Sequence, residues 1–307
     1  MKKYINYYYT VLLASSLALM AASCKNDDTQ PAVLDQERAS ITQRVKDSTD
    51  LVSEVFWDTT FTVAPGIQET DIHYLSMKGL SMRMFVFRID LKEEGVELFP
   101  LTPYASSGFG MQPIPEMMEW VDVPGKKVVG GVNADFFNMD TGEPRGVVHL
   151  HGEAVKTTPM VGRSFFGVDE NGRLVIEHAD DYPEFQDGLF DALGAGDLLI
   201  KDYNLVPLVS EDIHPRTAVG ITDSEEVYFM VVDGRQFDYS NGLSLSEVAE
   251  VFQALGVRDA TNLDGGGSST FVTLHSVEDV FHVRNRPSDG TPRPVANGWA
   301  ILVNENE

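Results

Sequence analysis

Between Arg83 and Leu91, Phe85, Phe87, Ile89 and Leu91 alternate with Met84, Val86, Arg88 and Asp90. Period two sends alternate side chains to opposite faces, so this segment is committed to a sheet with one strongly apolar face. Val128–Phe137, Val227–Asp233, Thr270–Leu274 and Trp299–Val303 are short, branched or aromatic, and are predicted as further strands. Helices are fewer. Leu245, Val248, Phe252 and Leu255 recur at intervals of three and four, with Glu247, Glu250 and Gln253 opposite and Gly256 as the stop. Ser244 and Glu247 have the spacing of a capping box. A shorter helix is predicted after Pro113, where Ile114, Met117, Met118 and Val121 share a face. Strands that outnumber helices without alternating with them predict an α+β fold, a mixed β-sheet core with a few packed helices in a single compact domain.

Only Cys24 is present, so neither an internal disulfide framework nor a cysteine zinc site can hold this fold. Stability has to come from apolar burial, for which 17 Phe, 10 Tyr and 3 Trp are available. A net charge of −24, from 47 Asp+Glu against 23 Lys+Arg, argues against nonspecific nucleic-acid or anionic-membrane binding. An anionic substrate would need its own cationic pocket.

The chain start reads as a processing signal. Lys2 and Lys3 precede an apolar run, Val11–Ala22, too short for a membrane-spanning helix, and Ala21, Ala22 and Ser23 stand before Cys24. The arrangement resembles a bacterial lipoprotein signal with lipidation at Cys24, although Ala21 stands where Leu is usual; secretory cleavage with a spare thiol is the other reading. Lys25, Asn26, Asp27 and Asp28 resemble the export tag of some surface lipoproteins. Residues 1–23 are thus expected to be a signal peptide. Residues 24–50 are expected to be a tether, with a short helix near Gln36–Val45. The expected location is outside the cytoplasm, as an outer-membrane or cell-surface lipoprotein or a periplasmic protein, with membrane contact only through lipid.

Familiar signatures are missing. No P-loop occurs; Thr270 replaces the last Gly of a nucleophile elbow at Gly266-Gly267-Ser268; Leu199 replaces the third Gly of a dinucleotide fingerprint at Gly194-Ala195-Gly196. His149 and His151 lack the companions of a metal site and read as structural or surface residues. Five polar islands remain, namely Asn133–Asn138, Pro215–Ala218, Asp233–Arg235, Asn262–Ser269 and Asn285–Gly290. Three consecutive glycines are costly to order, which suits a backbone that approaches a ligand and turns its N–H groups to an anion. The other reading is a tight turn.

In their order, Asn-x-x-Phe-Phe, Arg-Thr-Ala, Asp-Gly-Arg, the helix to Leu255, Asn-Leu-Asp-Gly-Gly-Gly-Ser-Ser and Asn-Arg-Pro-Ser-Asp-Gly resemble the phosphodiester glycosidase family. The resemblance covers residues 128–303 as a catalytic region, with residues 51–127 as the leading β part of the same domain. It implies a hydrolase that cleaves the glycosidic bond of a sugar 1-phosphodiester on an extracellular or surface glycan. A glycan-binding lipoprotein without catalysis, or a phosphodiesterase that cleaves P–O in wall polymers, are the alternatives. Such a reaction needs a carboxylate at the anomeric carbon and a nucleophile or base. Asp264 is the first candidate, ahead of Asp135, Asp233 and Asp289. Substrate contacts are expected from Asn133, Phe137, Arg216, Thr217, Arg235, Asn262, Gly265, Gly266, Gly267, Ser268, Ser269, Arg286, Ser288 and Arg293, the arginines serving the phosphate. Phe136 and Phe137 should alternate on a strand, one in the core and one at the sugar. No cofactor is implied, although the Asp and Asn islands carry oxygen ligands suited to Ca²⁺ or Mg²⁺, without EF-hand spacing.

Overall fold

The computed structural model describes residues 40–208, 210–275 and 277–305; the signal segment and Cys24 lie outside them. From its start the chain forms α1 (Ile41–Ser48), β1 (Val52–Ala64), β2 (Ile67–Ser76), β3 (Ser81–Asp90), β4 (Glu97–Leu101), α2 (Ile114–Glu119) and β5 (Lys126–Asn133). A middle stretch follows with β6 (Val148–Leu150), β7 (Glu153–Lys156), β8 (Ser164–Asp169), β9 (Leu174–His178), α3 (Tyr182–Phe185), β10 (Leu189–Gly194), β11 (Leu198–Lys201) and β12 (Asn204–Leu205). The last part holds β13 (Arg216–Ile221), β14 (Glu226–Val232), α4 (Leu245–Ala254), β15 (Asp259–Leu263), β16 (Phe271–His275), β17 (Val280–Val283) and β18 (Gly298–Asn304).

Three sheets result, ordered β1-β2-β3-β14-β13-β15-β11-β12, β7-β6-β10-β8-β9 and β17-β16-β5-β18-β4. The expected β core with few helices is present, but sheets dominate. Every described pairing is antiparallel, which corrects the expectation of a mixed sheet. Residues 51–127 are interleaved with the rest, because β3 pairs with β14 and β4 with β18.

β3 has two apolar faces. Phe85, Phe87 and Ile89 join the core between the sheets, where the Phe87 ring stacks on Phe271 at 4.0 Å between centroids. Met82, Met84 and Val86 meet Val248 and Phe252 of α4 on the opposite side. Arg88 survives at the strand's end by pairing with Glu226. Truncating Phe87 to Ala would cost about 3–5 kcal/mol through lost transfer energy and the cavity left behind.

α4 forms as its sequence dictates. Ser244 Oγ accepts the Glu247 N–H at 3.2 Å, Glu247 Oε2 accepts the Ser244 N–H at 2.8 Å, and Gly256 follows in the left-handed region. The residues assigned to the tether need correction at their end. Ser40 caps α1, whose Ile41 and Val45 are buried in the same cluster as α4, so the domain begins before Asp50. A helix of this length is marginal alone and is held by that packing. β1, the edge of the largest sheet, is interrupted by three register shifts against β2.

Candidate active site

The site forms where ends of two sheets meet, and Asn133 makes the junction. Its amide donates to the Asp264 carbonyl at 2.6 Å, while its Oδ1 accepts Thr217 Oγ1 at 2.9 Å and the Thr270 N–H at 3.0 Å. A buried Asn can serve as donor and acceptor at once, which is why one side chain can tie β5, β13 and the segment after β15 together. The Asp264 N–H donates to the Ala134 carbonyl at 2.7 Å, and Asn297 Oδ1 accepts the Asp135 N–H at 2.8 Å. Asn133 and Thr217 therefore face each other, their hydrogen-bonding groups engaged within the protein.

β5 stops at Asn133, which corrects the predicted strand to Phe137 and the alternation built on it. Phe137 is buried in the core against α2, and Phe136 is the half-buried ring, lying under the Arg163 guanidinium at 5.2 Å. Of the two rings Phe136 is therefore the one with solvent exposure, and Phe137 is packed in the core.

Each glycine of the turn is required by a different neighbour. A Cβ at Gly265 would stand 2.6 Å from the Pro215 carbonyl. Gly266 has φ 63°, and a Cβ there would lie 3.2 Å from the Arg235 guanidinium. At Gly267 a Cβ would collide with Arg293 and Asp289. The N–H groups are largely taken: Gly266 donates to Pro215, Ser268 to Gly265 and Ser269 to Gly266. The glycines let arginines descend onto the turn, rather than aiming its N–H groups at an anion.

These contacts bring all five islands together. Asn133 holds Asp264; Pro215 and Arg235 meet Gly265 and Gly266; Asp289 and Arg293 cover Gly267. Asp233 completes the set through the Asn285 amide at 3.0 Å and the Arg286 N–H at 2.8 Å.

The carboxyl groups differ in what surrounds them. Burial pushes Asp264 up to about 6, opposed by the Ser268 hydrogen bond, the Arg293 charge and the Gly265 N–H. Asp264 keeps an exposed edge. Asp135 is 2% exposed and is pushed up to about 7 by burial, with the Asp264 charge adding to the rise. One of its oxygens accepts the Gly146 N–H at 2.7 Å and the other has no partner. With Asp264 ionised first, its charge holds the Asp135 proton in place. Asp233 also rises to about 6 by burial, but donors occupy both of its oxygens. Asp289 is exposed and accepts from Arg293 Nε at 2.9 Å.

The arginines divide in the same way. Arg88, Arg163, Arg173, Arg258, Arg284 and Arg293 pair with carboxylates. Arg216, Arg235 and Arg286, which lie in the islands, have no such partner among the described residues, and neither do Arg44, Arg83 and Arg145 elsewhere. Arg216 is 8% exposed and donates through Nε to the Leu243 carbonyl at 2.8 Å and through Nη2 to the Asp212 carbonyl. Two of its three nitrogens are therefore committed to main chain. Arg235 and Arg286 are exposed, and the Arg286 guanidinium lies 5.2 Å from the Tyr239 ring centroid. Among the described residues, no three His, Cys, Asp or Glu side chains are grouped to hold a metal ion.

Buried polar atoms without partners gather here as well, at Asp135 Oδ1, Asn262 Oδ1, Ser269 Oγ, Ser288 Oγ and Asn297 Nδ2. Sequence reasoning missed Arg163, His214 and Asn297. His214 Nδ1 lies 3.4 Å from Arg235 Nη2 and is adjacent to Pro215, so adjacency to an island was its one signal. Arg163 and Asn297 carried none.

The phosphodiester glycosidase family model matches residues 126–302, more than half of the chain. N-acetylglucosamine-1-phosphodiester alpha-N-acetylglucosaminidase of Bos taurus is 28% identical over 160 residues, 46% of this chain and 30% of that protein. The Mus musculus enzyme of the same name is 27% identical over 160 residues, 46% of this chain and 31% of its own length. The chain thus spans under a third of the curated relatives it matches. The zebrafish catalytic domain of that name, auto-inhibited by its pro-peptide, superposes with a TM-score of 0.62 at 18% identity, covering 80% of this chain and 87% of that one. A Synechocystis protein superposes with a TM-score of 0.63 at 15% identity, covering 80% and 64%.

Proposed function

The chain belongs to the phosphodiester glycosidase family, and we propose on that footing that it hydrolyses the glycosidic bond of a sugar 1-phosphodiester on an extracellular or surface glycan. One observation carries the reading: in a chain of net charge −24, Arg235, which has no carboxylate partner, comes down with Arg293 onto the glycine turn beside a carboxyl that keeps an open edge. An acidic protein gathers unpaired cations where an anion is to be held.

In this reading Arg235 and Arg286 hold the phosphate, and Arg293 sets the charge around Asp264. Asp264, ionised at neutral pH, faces the anomeric carbon as positive character develops there. The C–O bond breaks with its electron pair passing to the phosphate oxygen, water supplies the new hydroxyl of the sugar, and a phosphomonoester leaves. A phosphate is already a good leaving group, so arginine charge takes over much of what a general acid would do. Asp135 lies beneath, out of reach of the substrate, with its proton held by burial and by the Asp264 charge.

Hydrolysis of methyl N-acetylglucosamine 1-phosphodiester in ¹⁸O-water tests the bond assignment. The expected product carries the label in the sugar. Label in the phosphate instead would replace this reading with P–O cleavage. Absence of turnover, with glycan binding retained, would leave a binding protein. We propose further that Cys24 anchors the chain through lipid outside the cytoplasm. Cys24→Ala should then release it from membranes, and unchanged partitioning would remove the anchor.

A further inference from the structure

The sheet register puts a second group of polar and aromatic side chains near the turn. Leu101 stands opposite Gly298 across β4 and β18, and Gly298 stands opposite Asn133 across β18 and β5. Leu101 and Asn133 are therefore two strand spacings apart, about 10 Å, at the same end of one sheet. Beside Leu101 lies a cavity of about 370 Å³ lined by Phe99, Thr102, Ser106, Met117, His151 and Glu153, among others. Its size is that of small-molecule sites, roughly 300–1,000 Å³.

His151 is held there by three constraints. Its Nδ1 lies 3.3 Å from Asp191 Oδ1, its own N–H donates to the same oxygen at 2.6 Å, and its ring tilts against Phe99 at 4.8 Å between centroids. Asp191 is buried, which fixes that end of the imidazole. Nε2 has no partner among the described residues, so it is the ring atom free for a ligand. The backbone is strained around the same cavity: His151 has φ 53°, Tyr104 φ 57° and Ala105 φ 49°, all left-handed without glycine. Strain of this kind persists where surrounding structure demands it, often at binding sites. Tyr104 and Trp120 are each more than half exposed and meet edge to face at 5.6 Å, joining the loop and the end of α2 that form one wall.

We propose that this cavity is a subsite for a neutral hexose unit of the glycan carried by the substrate. No Lys or Arg lines it, which disfavours a phosphate, whereas Thr102, Ser106 and Ser107 offer hydroxyls and the Phe99 and His151 rings offer surface to a sugar's C–H face. The inference rests on the proposed function only for the presence of a glycan.

Saturation-transfer NMR with glucose, galactose, mannose and N-acetylglucosamine on the full chain carrying Asp264→Asn tests it. At least one sugar should receive saturation. Thr102→Val, which removes a lining hydroxyl at nearly constant shape, and His151→Asn, which tolerates the left-handed backbone, should each weaken that binding by roughly 3- to 10-fold. No transfer from any of the four, or transfer unchanged by both variants, overturns the subsite. No turnover of sugar 1-phosphodiesters by the parent chain, with cavity binding intact, would instead overturn the catalytic reading alone.

Discussion

Asp233 and Asp264 start from the same residue type, are both pushed up to about 6 by burial, and both lie among the polar islands. Their surroundings separate them. Asp233 is 1% exposed with its oxygens taken by Asn285 and the Arg286 N–H, so its charge is consumed in holding one loop to another. Asp264 keeps an edge open beside arginines lowered onto a glycine turn. A raised pKa marks burial at both places, and what separates them is the edge that Asp264 keeps open, which suits it to the proposed chemistry.

The comparison breaks most sharply at Asp264. Asp264→Asn keeps the shape and removes the charge, so kcat should fall about 100-fold or more while the melting temperature stays close to that of the parent. Near-normal kcat in a folded variant would remove Asp264 from catalysis. Asp233→Ala should do the reverse, lowering stability by about 2–3 kcal/mol in denaturant unfolding because the Asn285 amide and Arg286 N–H lose their acceptor. A stable Asp233→Ala protein with kcat as low as that of Asp264→Asn would erase the distinction.

Asp135 sharpens it through pH. Its folded pKa, about 7, lies above the ordinary carboxyl value of 3.8. The folded state therefore holds a proton that the unfolded state has released, and stability falls as pH rises from about 4 to about 7, then levels off. Asp135→Asn should make that slope shallower when unfolding is measured at pH 5 and pH 8, with the shares of Asp233, Asp264 and Glu69, also raised by burial, remaining. An unchanged slope would place the proton elsewhere. The smallest effect belongs to Arg286→Ala, which leaves the backbone bond to Asp233 in place. It should raise KM by roughly 3- to 10-fold with little change in stability; an unaltered KM would take Arg286 out of phosphate binding.

Much of this was legible in the residues. The alternation in β3, the capping box of α4 and the motif islands each state a local rule that the fold obeys. The two phenylalanines after Asn133 were misread because strand alternation holds only while the ladder continues, and the ladder ends where Asn133 turns to Thr217 and Thr270. The glycines announced a close approach but not by what, since Arg235 and Arg293 arrive from distant segments. The end of the tether was hidden for a similar reason: α1 has two apolar anchors, Ile41 and Val45, whose burial depends on a helix some 200 residues later.

The Asn133 junction also fixes when the protein can work. Its partner Thr270 lies 137 residues further along, and Asp135 waits for Asn297 across 162 residues. Contacts so far apart in the chain are slow to form and cannot form on a growing polypeptide that still lacks its last strands. The proposed activity therefore requires a chain that already has its last strands. A chain still being synthesised, or one shortened before Asn297, can fold some of its hairpins and remain chemically silent.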